Sequence, residues 1–343
     1  MRIATYNVEW FNSLFGDAGQ LLMDDEPSGR SGISRAIQIE ALGMVFTALD
    51  ADAVLVIEAP DRNSRRDTVA ALENFATAFD LRARRAVMGF DNDTQQEIAL
   101  LHDPDRLSAR HDPVGDETGK KGAHGAPRFD SVFRIDLDFD ATEDLVRFSK
   151  PPLELAMQTA QGFAFRMIGA HLKSKAPHGA RGEDAIMRLA IQNRRKQLAQ
   201  AIWLRRRIDN HLAAGTPLIV LGDLNDGPGL DEYEDLFGRS SIEIVMGEGD
   251  GVPLHDPHAR QVLRRRVGPR PSSARFYLAD QDRYLEALLD YVMISSDLRA
   301  FNPRWRIWHP FDDADCYRLP ELRNALISAS DHFPVTLDID LPS

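Results

Sequence analysis

Four short apolar runs in this chain each end on a side chain that can bind a cation or move a proton. Ile3 to Tyr6 is followed by Asn7, Val54 to Ile57 by Glu58, and Met167 to Ala170 by His171, while Leu218 to Leu221 leads into Asp223 and Asn225. Apolar runs that short and that rich in β-branched residues read as buried strands. Strands of one sheet that finish on the same side converge there, so these polar endings predict a single site at the strand ends.

The spacing between them fills in an α/β chain. Residues 2–8 and 53–58 read as strands, and Ile33, Ile37, Ala41, Val45 and Leu49 recur between them as the stripe of an amphipathic helix packed on a sheet. Val69, Leu72, Phe75 and Phe79 repeat that pattern. Further strands are expected at 97–101, 130–138, 153–159, 163–170, 217–221, 290–294 and 334–339, the consecutive ones pairing antiparallel across short connections. Glu183 to about Leu212 reads as one long, partly exposed helix, with Leu198, Ile202, Ile208 and Leu212 on one face. Its Arg188, Arg194, Arg195, Lys196 and Arg205 to Arg207 are expected to form a solvated face rather than a nucleic-acid track.

At 343 residues the chain has room for two domains or for one large two-sheet domain. No repeat, low-complexity tract or linker divides it. The simplest organisation is one domain over 1–343 with loop insertions near 12–32, 112–128 and 250–280.

Charge narrows the function. With 41 basic and 53 acidic residues the net charge is −12, which argues against binding nucleic acid by bulk electrostatics. A phosphate-rich substrate would have to be captured locally. The lone Cys316 excludes an internal disulfide framework and fits a reducing compartment. No apolar run is long enough for a signal peptide or a membrane span, so a cytoplasmic location is expected, with no membrane contact and no obligate protein partner.

The polar endings supply what phosphoryl transfer needs: ligands for a cation that neutralises phosphate oxygens, a group that activates water, and donors that hold developing charge. Carboxylate and amide oxygens without cysteine suit Mg²⁺ or Mn²⁺ better than zinc. His332 could be a satisfied core histidine, but Ser330-Asp331-His332 before an apolar strand, with Asp290 available to orient the ring, reads as functional.

Six motifs occur in order across nearly the whole chain: Thr5-Tyr6-Asn7-Val8, Ile57-Glu58, Gly169-Ala170-His171-Leu172, Gly222-Asp223-Leu224-Asn225-Asp226, Asp290-Tyr291-Val292 and Ser330-Asp331-His332-Phe333-Pro334-Val335. In this the sequence resembles the endonuclease/exonuclease/phosphatase superfamily of DNase I-like and exonuclease III-like phosphoesterases. The resemblance implies a four-layer α/β/β/α sandwich, two mixed sheets face to face with helices outside. It also implies a metal held by Glu58, Asn7 and Asp331, water activated by Asp223, phosphate held by Asn225 and His171, and charge stabilised by His332 with Asp290. Two positions depart from the common pattern, Ile57 where many relatives carry Gln and Leu288-Leu289 before Asp290. These leave metal binding intact and make the substrate class harder to assign.

Several residues stand beside this set. Lys150, Arg134 and Lys173 are candidate phosphate contacts. Glu9 and Asp226 could complete a second metal site, although carboxylates near a loop are usually solvated. Trp10 and Phe11 could stack on a base, although aromatics after a strand usually pack in the core. Arg260, Arg264, Arg265, Arg266, Arg270 and Arg275, with Lys120, Lys121 and His124, form local basic patches that serve either salt bridges or a substrate backbone. The expected function is a Mg²⁺- or Mn²⁺-dependent phosphodiester hydrolase, most simply a nuclease acting on nucleic acid. A small-molecule or lipid phosphatase or phosphodiesterase on the same site is the alternative, and a non-catalytic binding protein is the third.

Overall fold

The computed structural model describes residues 1–342 except 93, 95, 138–142, 177, 178, 180, 228–237, 248, 250, 265–269 and 279–281. The chain opens with β1 (Arg2–Asn7), α1 (Arg35–Leu49), β2 (Ala53–Ala59) and α2 (Thr68–Ala78). Each helix starts where a side-chain oxygen can satisfy a free backbone N–H: Ser34 accepts from Ile37 N and Asp67 from Ala70 N. β3 (Arg85–Met88), β4 (Glu97–His102), β5 (Leu107–His111), β6 (Phe133–Ile135), β7 (Asp144–Val146), β8 (Leu153–Thr159) and β9 (Ala164–His171) follow. Then come α3 (Glu183–Ala213), β10 (Leu218–Asp223), α4 (Ser241–Met246), α5 (Pro257–Leu263), β11 (Ala274–Leu278), β12 (Arg283–Ala287) and β13 (Asp290–Ile294). β14 (Arg304–Ile307), α6 (Ala314–Arg318), α7 (Pro320–Ala329) and β15 (Val335–Asp338) complete the chain.

Two mixed sheets organise these elements, one ordered β14-β15-β1-β2-β4-β3 and the other β13-β10-β9-β8-β5. β1 pairs parallel with β2 and β9 with β10, and the other pairings within the two sheets are antiparallel. The inward residues of both sheets meet in a common core, with Ile3, Leu55, Ile57 and Leu100 facing Leu155, Met167, Ile219, Leu221 and Val292. α1, α2 and α7 cover the outside of the first sheet through Leu42, Val45, Phe46, Phe75 and Leu326. α3 and α4 cover the second through Trp203, Leu204, Ile208 and Ile242. This is the α/β/β/α sandwich the sequence led us to expect. Among the described residues no helix is long and apolar enough to cross a membrane.

Local expectations fared unevenly. The stripe of α1 is displaced: Ile37 is exposed, and Ile39, Leu42, Val45, Phe46 and Leu49 face the sheet. The basic side of α3 is only partly solvated: Arg188 is exposed, but Arg194, Arg205 and Arg207 are interior. Arg207 is fully buried against Glu154 at 2.6 Å, Arg194 reaches Asp226 at 2.8 Å, and Arg205 donates to the Val245 carbonyl at 3.1 Å. β3, β5 and β14 were not expected. They are edge strands, where one side of the backbone is free and polar side chains such as Arg85, Arg110 and Arg304 break the apolar signal. The strand expected at 130–138 is confined to Phe133–Ile135, its last residue lying outside the described residues, as do Arg265 and Arg266 of the basic patch.

Candidate active site

The site is the continuation of the inter-sheet core. On β10, Ile219 and Leu221 point inward, so Asp223 does too, two positions on. On β9 the same alternation carries Met167 to His171, on β13 it carries Val292 back to Asp290, and on β1 it carries Ile3 to Asn7. Asp223 stands in register with His171 on one side and with Asp290 on the other. Three adjacent strands therefore present His171, Asp223 and Asp290 as a row on one face.

Glu58 breaks the alternation. The residue after the inward Ile57 should face the helices, yet the pairing of β2 with β4 shifts between Ile57 and Ala59, and Glu58 adopts a left-handed φ of 61°. Such a bulge bends the strand and re-aims a side chain. Gly222 serves the row differently: its φ is 132° and a Cβ there would overlap the Ala170 carbonyl oxygen, so only glycine lets β10 approach β9 this closely.

Hydrogen bonds fix the row from behind. Asp223 Oδ2 accepts from Asn7 Nδ2 at 2.9 Å and from Asn225 Nδ2 at 3.2 Å, and Oδ1 accepts from the Asn225 backbone at 2.7 Å. Asn225 holds a left-handed φ of 51° and also donates to the Leu172 carbonyl at 3.1 Å. His332 Nδ1 lies 2.7 Å from Asp290 Oδ2, which also accepts from Ser273 Oγ at 2.7 Å. Lys150 Nζ lies 3.2 Å from His171 Nδ1, and His171 Nε2 lies 3.7 Å from Asp223 Oδ2. A lysine ammonium only donates, so Nδ1 accepts and the ring proton sits on Nε2, towards Asp223.

These neighbours push like groups apart. Burial lowers the pKa of His171 far below the usual histidine range, helped by the positive charges of Lys150 and His332, so the ring stays neutral. Burial acts against charge at His332 as well, but there Asp290, with Asp223 and Asp331, holds the pKa well above the ordinary value and the ring is an imidazolium. Asp223 is raised to about 7 by burial and by Asp290, against the pull of His332 and the bonds from Asn225 and Asn7. Glu58 is raised by burial, opposed by Lys150 and His332, with repulsion from Asp331 and Glu9 added.

Asp223, Asp290 and His332 offer ligand atoms within 4.8 Å of one another. Such a trio could hold a metal ion, although Asp290 and His332 are already bonded to each other at 2.7 Å. Among the described residues Asn7 Oδ1 and Asp290 Oδ1 are buried and accept no hydrogen bond, the Asn7 amide being anchored through its nitrogen. Glu58 follows Ile57, the residue in register with Asn7, and carboxylate and amide oxygens are the kind of donor that Mg²⁺ or Mn²⁺ takes. Asp331 belongs to the same surroundings, since its charge is felt at Glu58, Glu9 and His332.

The remaining candidates separate. Lys150 is in the cluster, its pKa lowered by burial against the pull of Glu58 and Asp223. Lys173 follows His171, with its backbone N–H bonded to Gln200 Oε1 at 2.9 Å and its pKa lowered by burial and Lys196. Arg134 pairs with Glu143 at 3.1 Å on the β6–β7 hairpin, away from these bonds. Asp226 is buried between Lys175 and Arg194 and accepts from Ser241 N, which makes it a structural anion. Glu9 is held by Arg30 and its backbone N–H donates to Ser330 Oγ at 3.1 Å. Phe11 packs in the core, whereas Trp10 is exposed.

Sequence reasoning missed Ser273, whose hydroxyl bonds Asp290 and accepts from the backbone of Leu289 and Asp290. It missed Ser330 as well, which donates to the Asn7 carbonyl at 2.8 Å and accepts from the Glu9 and His332 backbones. Ser330 sat within a quoted motif; nothing around Ser273 marked it.

Comparison with known proteins gives the family and the fold. The profile of the Endonuclease/Exonuclease/phosphatase family matches residues 4–332. Among solved structures, an AP endonuclease from Archaeoglobus fulgidus is 11% identical with a TM-score of 0.51, covering 99% of this chain and 100% of that one. A mannosyl-6-phosphatase from Bacteroides thetaiotaomicron is 15% identical with a TM-score of 0.50, covering 99% of each chain. Among curated proteins no sequence match is found.

Proposed function

Because the chain belongs to the endonuclease/exonuclease/phosphatase family of phosphoester hydrolases, we propose that it is a divalent-metal-dependent phosphodiester hydrolase, a nuclease, with its reacting centre at Asp223. The observation that carries the reading is geometric: Asp223 stands in register between His171 and Asp290, is held by Asn7 at 2.9 Å, and Asp290 holds His332 at 2.7 Å. The pKa values of His171, pushed down, and of Asp223 and His332, pushed up, agree with it. Groups whose environments push their pKa values apart are how a site runs acid and base chemistry at one pH.

In this reading Glu58, Asn7 and Asp331 hold Mg²⁺ or Mn²⁺. The ion, when bound, neutralises phosphate oxygens and polarises the phosphorus centre. Asp223, held by Asn7 and Asn225, orients a water and takes its proton, a task suited to a carboxylate poised near neutrality. His171 donates its Nε2–H to a phosphate oxygen, with the Asn225 amide and the Lys150 ammonium as further donors. His332 stabilises charge on the pentavalent phosphorus, and Asp290 and Ser273 keep its ring charged and aligned.

A polymer is the favoured substrate because an exposed indole, Trp10, directly follows Glu9, and Phe276 of the β11–β12 hairpin stands 5.5 Å from the His332 ring. The net charge of −12 favours the second reading, a small phosphoester or lipid headgroup captured at the same cluster. Incubation with single- and double-stranded DNA, RNA, abasic duplex and a phosphomonoester panel, in Mg²⁺, Mn²⁺ or EDTA, separates them. Metal-dependent cleavage of a polymer supports the nuclease, and turnover of small phosphoesters alone supports the second reading.

A further inference from the structure

We propose that Trp10 is a stacking platform for the nucleobase beside the cleaved phosphate, an inference that rests on the nuclease reading. An indole three residues past Asn7 is expected to pack inward, yet Trp10 is 48% exposed, while Trp203 and Trp308 are buried. Its exposure is built into the fold. The backbone at Trp10 is left-handed, with φ 60°, and its carbonyl accepts from Ser13 N at 3.0 Å and Ser13 Oγ at 2.7 Å, which fixes the turn. The indole N–H donates to Glu9 Oε1 at 3.0 Å, and Glu9 is itself clamped by Arg30.

The ring rests on the backbone of a remote loop. A Cβ on Gly29 would come within 2.6 Å of indole Cδ2 and 2.7 Å of Cγ, so the glycine is what allows the ring to lie against the chain there. The indole is thus supported by the chain at Gly29 and remains 48% exposed. A rigid aromatic ring whose polar atom is already bonded within the protein costs little further ordering when a base stacks on it.

Its position relative to the cluster is set by Glu9. The Glu9 backbone N–H donates to Ser330 Oγ at 3.1 Å, and the same oxygen accepts from the His332 backbone at 3.2 Å and donates to the Asn7 carbonyl at 2.8 Å, so Trp10 directly follows the point where the segments carrying Asn7 and His332 are tied together. A phosphodiester bound at the cluster would therefore carry a neighbouring nucleoside within reach of the indole. Stacking is tolerant of base identity because every base has a π face, so this platform would give affinity for nucleic acid without sequence preference, in a protein whose net charge gives none.

The test uses the full-length protein in Mg²⁺ and oligonucleotides lacking one base at either neighbour of the mapped cleavage position. For wild type, kcat/KM on the intact strand should exceed that on one of the abasic strands by roughly 5- to 100-fold, the range one stacked base supplies, mainly through KM. In Trp10→Leu this ratio should fall towards one, and in Trp10→Phe most of it should survive. If the polymer is cleaved and the ratio in Trp10→Leu equals that of wild type, the platform is wrong and the nuclease reading stands. If wild type cleaves no polymer, both fall together. Should Trp10→Leu fail to fold, fluorescence of wild type in EDTA decides: quenching by the intact strand but not by the abasic strand supports the platform, and equal quenching or none overturns it.

Discussion

Asn7 donates its side-chain amide to Asp223 across the gap between the two sheets, at 2.9 Å. One side chain thereby does two things: its nitrogen holds the carboxylate proposed to activate water, and its oxygen is buried without a hydrogen-bond partner among the described residues, as the proposed cation ligand would be. The two sheets are registered to one another at the point where a metal and a base must cooperate.

Removing either half of the oxygen set should change the demand for metal before it changes the fold. Glu58→Gln and Asn7→Ala are expected to raise the Mg²⁺ concentration needed for half-maximal rate, by roughly tenfold or more for Glu58. A metal titration of hydrolysis checks this, and an unchanged half-saturation point would remove that residue from the ligand set.

The pH profile should have two limbs. With Asp223 raised to about 7, kcat/KM rises as pH increases through that region, and a bound cation shifts the rise to lower pH. His332 is held protonated well above its ordinary range by Asp290, so the alkaline fall lies clearly above neutrality and moves down in Asp290→Asn. A flat profile from pH 5 to 10 would contradict both assignments.

Asp223 also makes a stability prediction. An unfolded aspartate titrates near 4, as model peptides do, whereas in the fold it titrates at about 7, so the native state binds the proton more tightly. Stability at this residue falls as pH rises from about 4 to 7 and the penalty stands in full above 7. In EDTA, Asp223→Asn should melt above wild type at pH 8, with the difference closing by about pH 4. Equal melting temperatures at pH 8 would mean that the burial of this carboxylate carries no cost.

Gly222→Ala should be severe for a conservative change. The residue has φ 132° and the added methyl meets the Ala170 carbonyl oxygen, so the loss in urea unfolding should be roughly 2 kcal/mol or more. Turnover should fall with it, since Asp223 follows directly. Wild-type stability would show that β9 and β10 can part at no cost.

How much of this was legible in the sequence follows from where each signal lives. Central strands are buried on both faces and read as apolar runs, so β1, β2, β9 and β10 and the polar residues that close them stood out, as did β13, an edge strand that is nonetheless buried from Asp290 to Ile294. Edge strands β3, β5 and β14 carry arginines and did not. The arginines of α3 look like a solvated face because a sequence shows charge but not partners; Glu154 and Asp226, which bury Arg207 and Arg194, come from distant segments. For the same reason Ser273 was invisible, while Trp10 was expected in the core because its support, Gly29, lies in another loop. Arg134, chosen for its charge, is taken up by Glu143.

The measurement that bears most directly on the account is the rate of oligonucleotide hydrolysis by wild type in Mg²⁺ and in EDTA, beside Asp223→Asn and His332→Ala in Mg²⁺. The account predicts cleavage that EDTA abolishes and that each substitution lowers by roughly two to four powers of ten with the fold intact. Cleavage that survives EDTA, or near-wild-type rates in either variant, would contradict it.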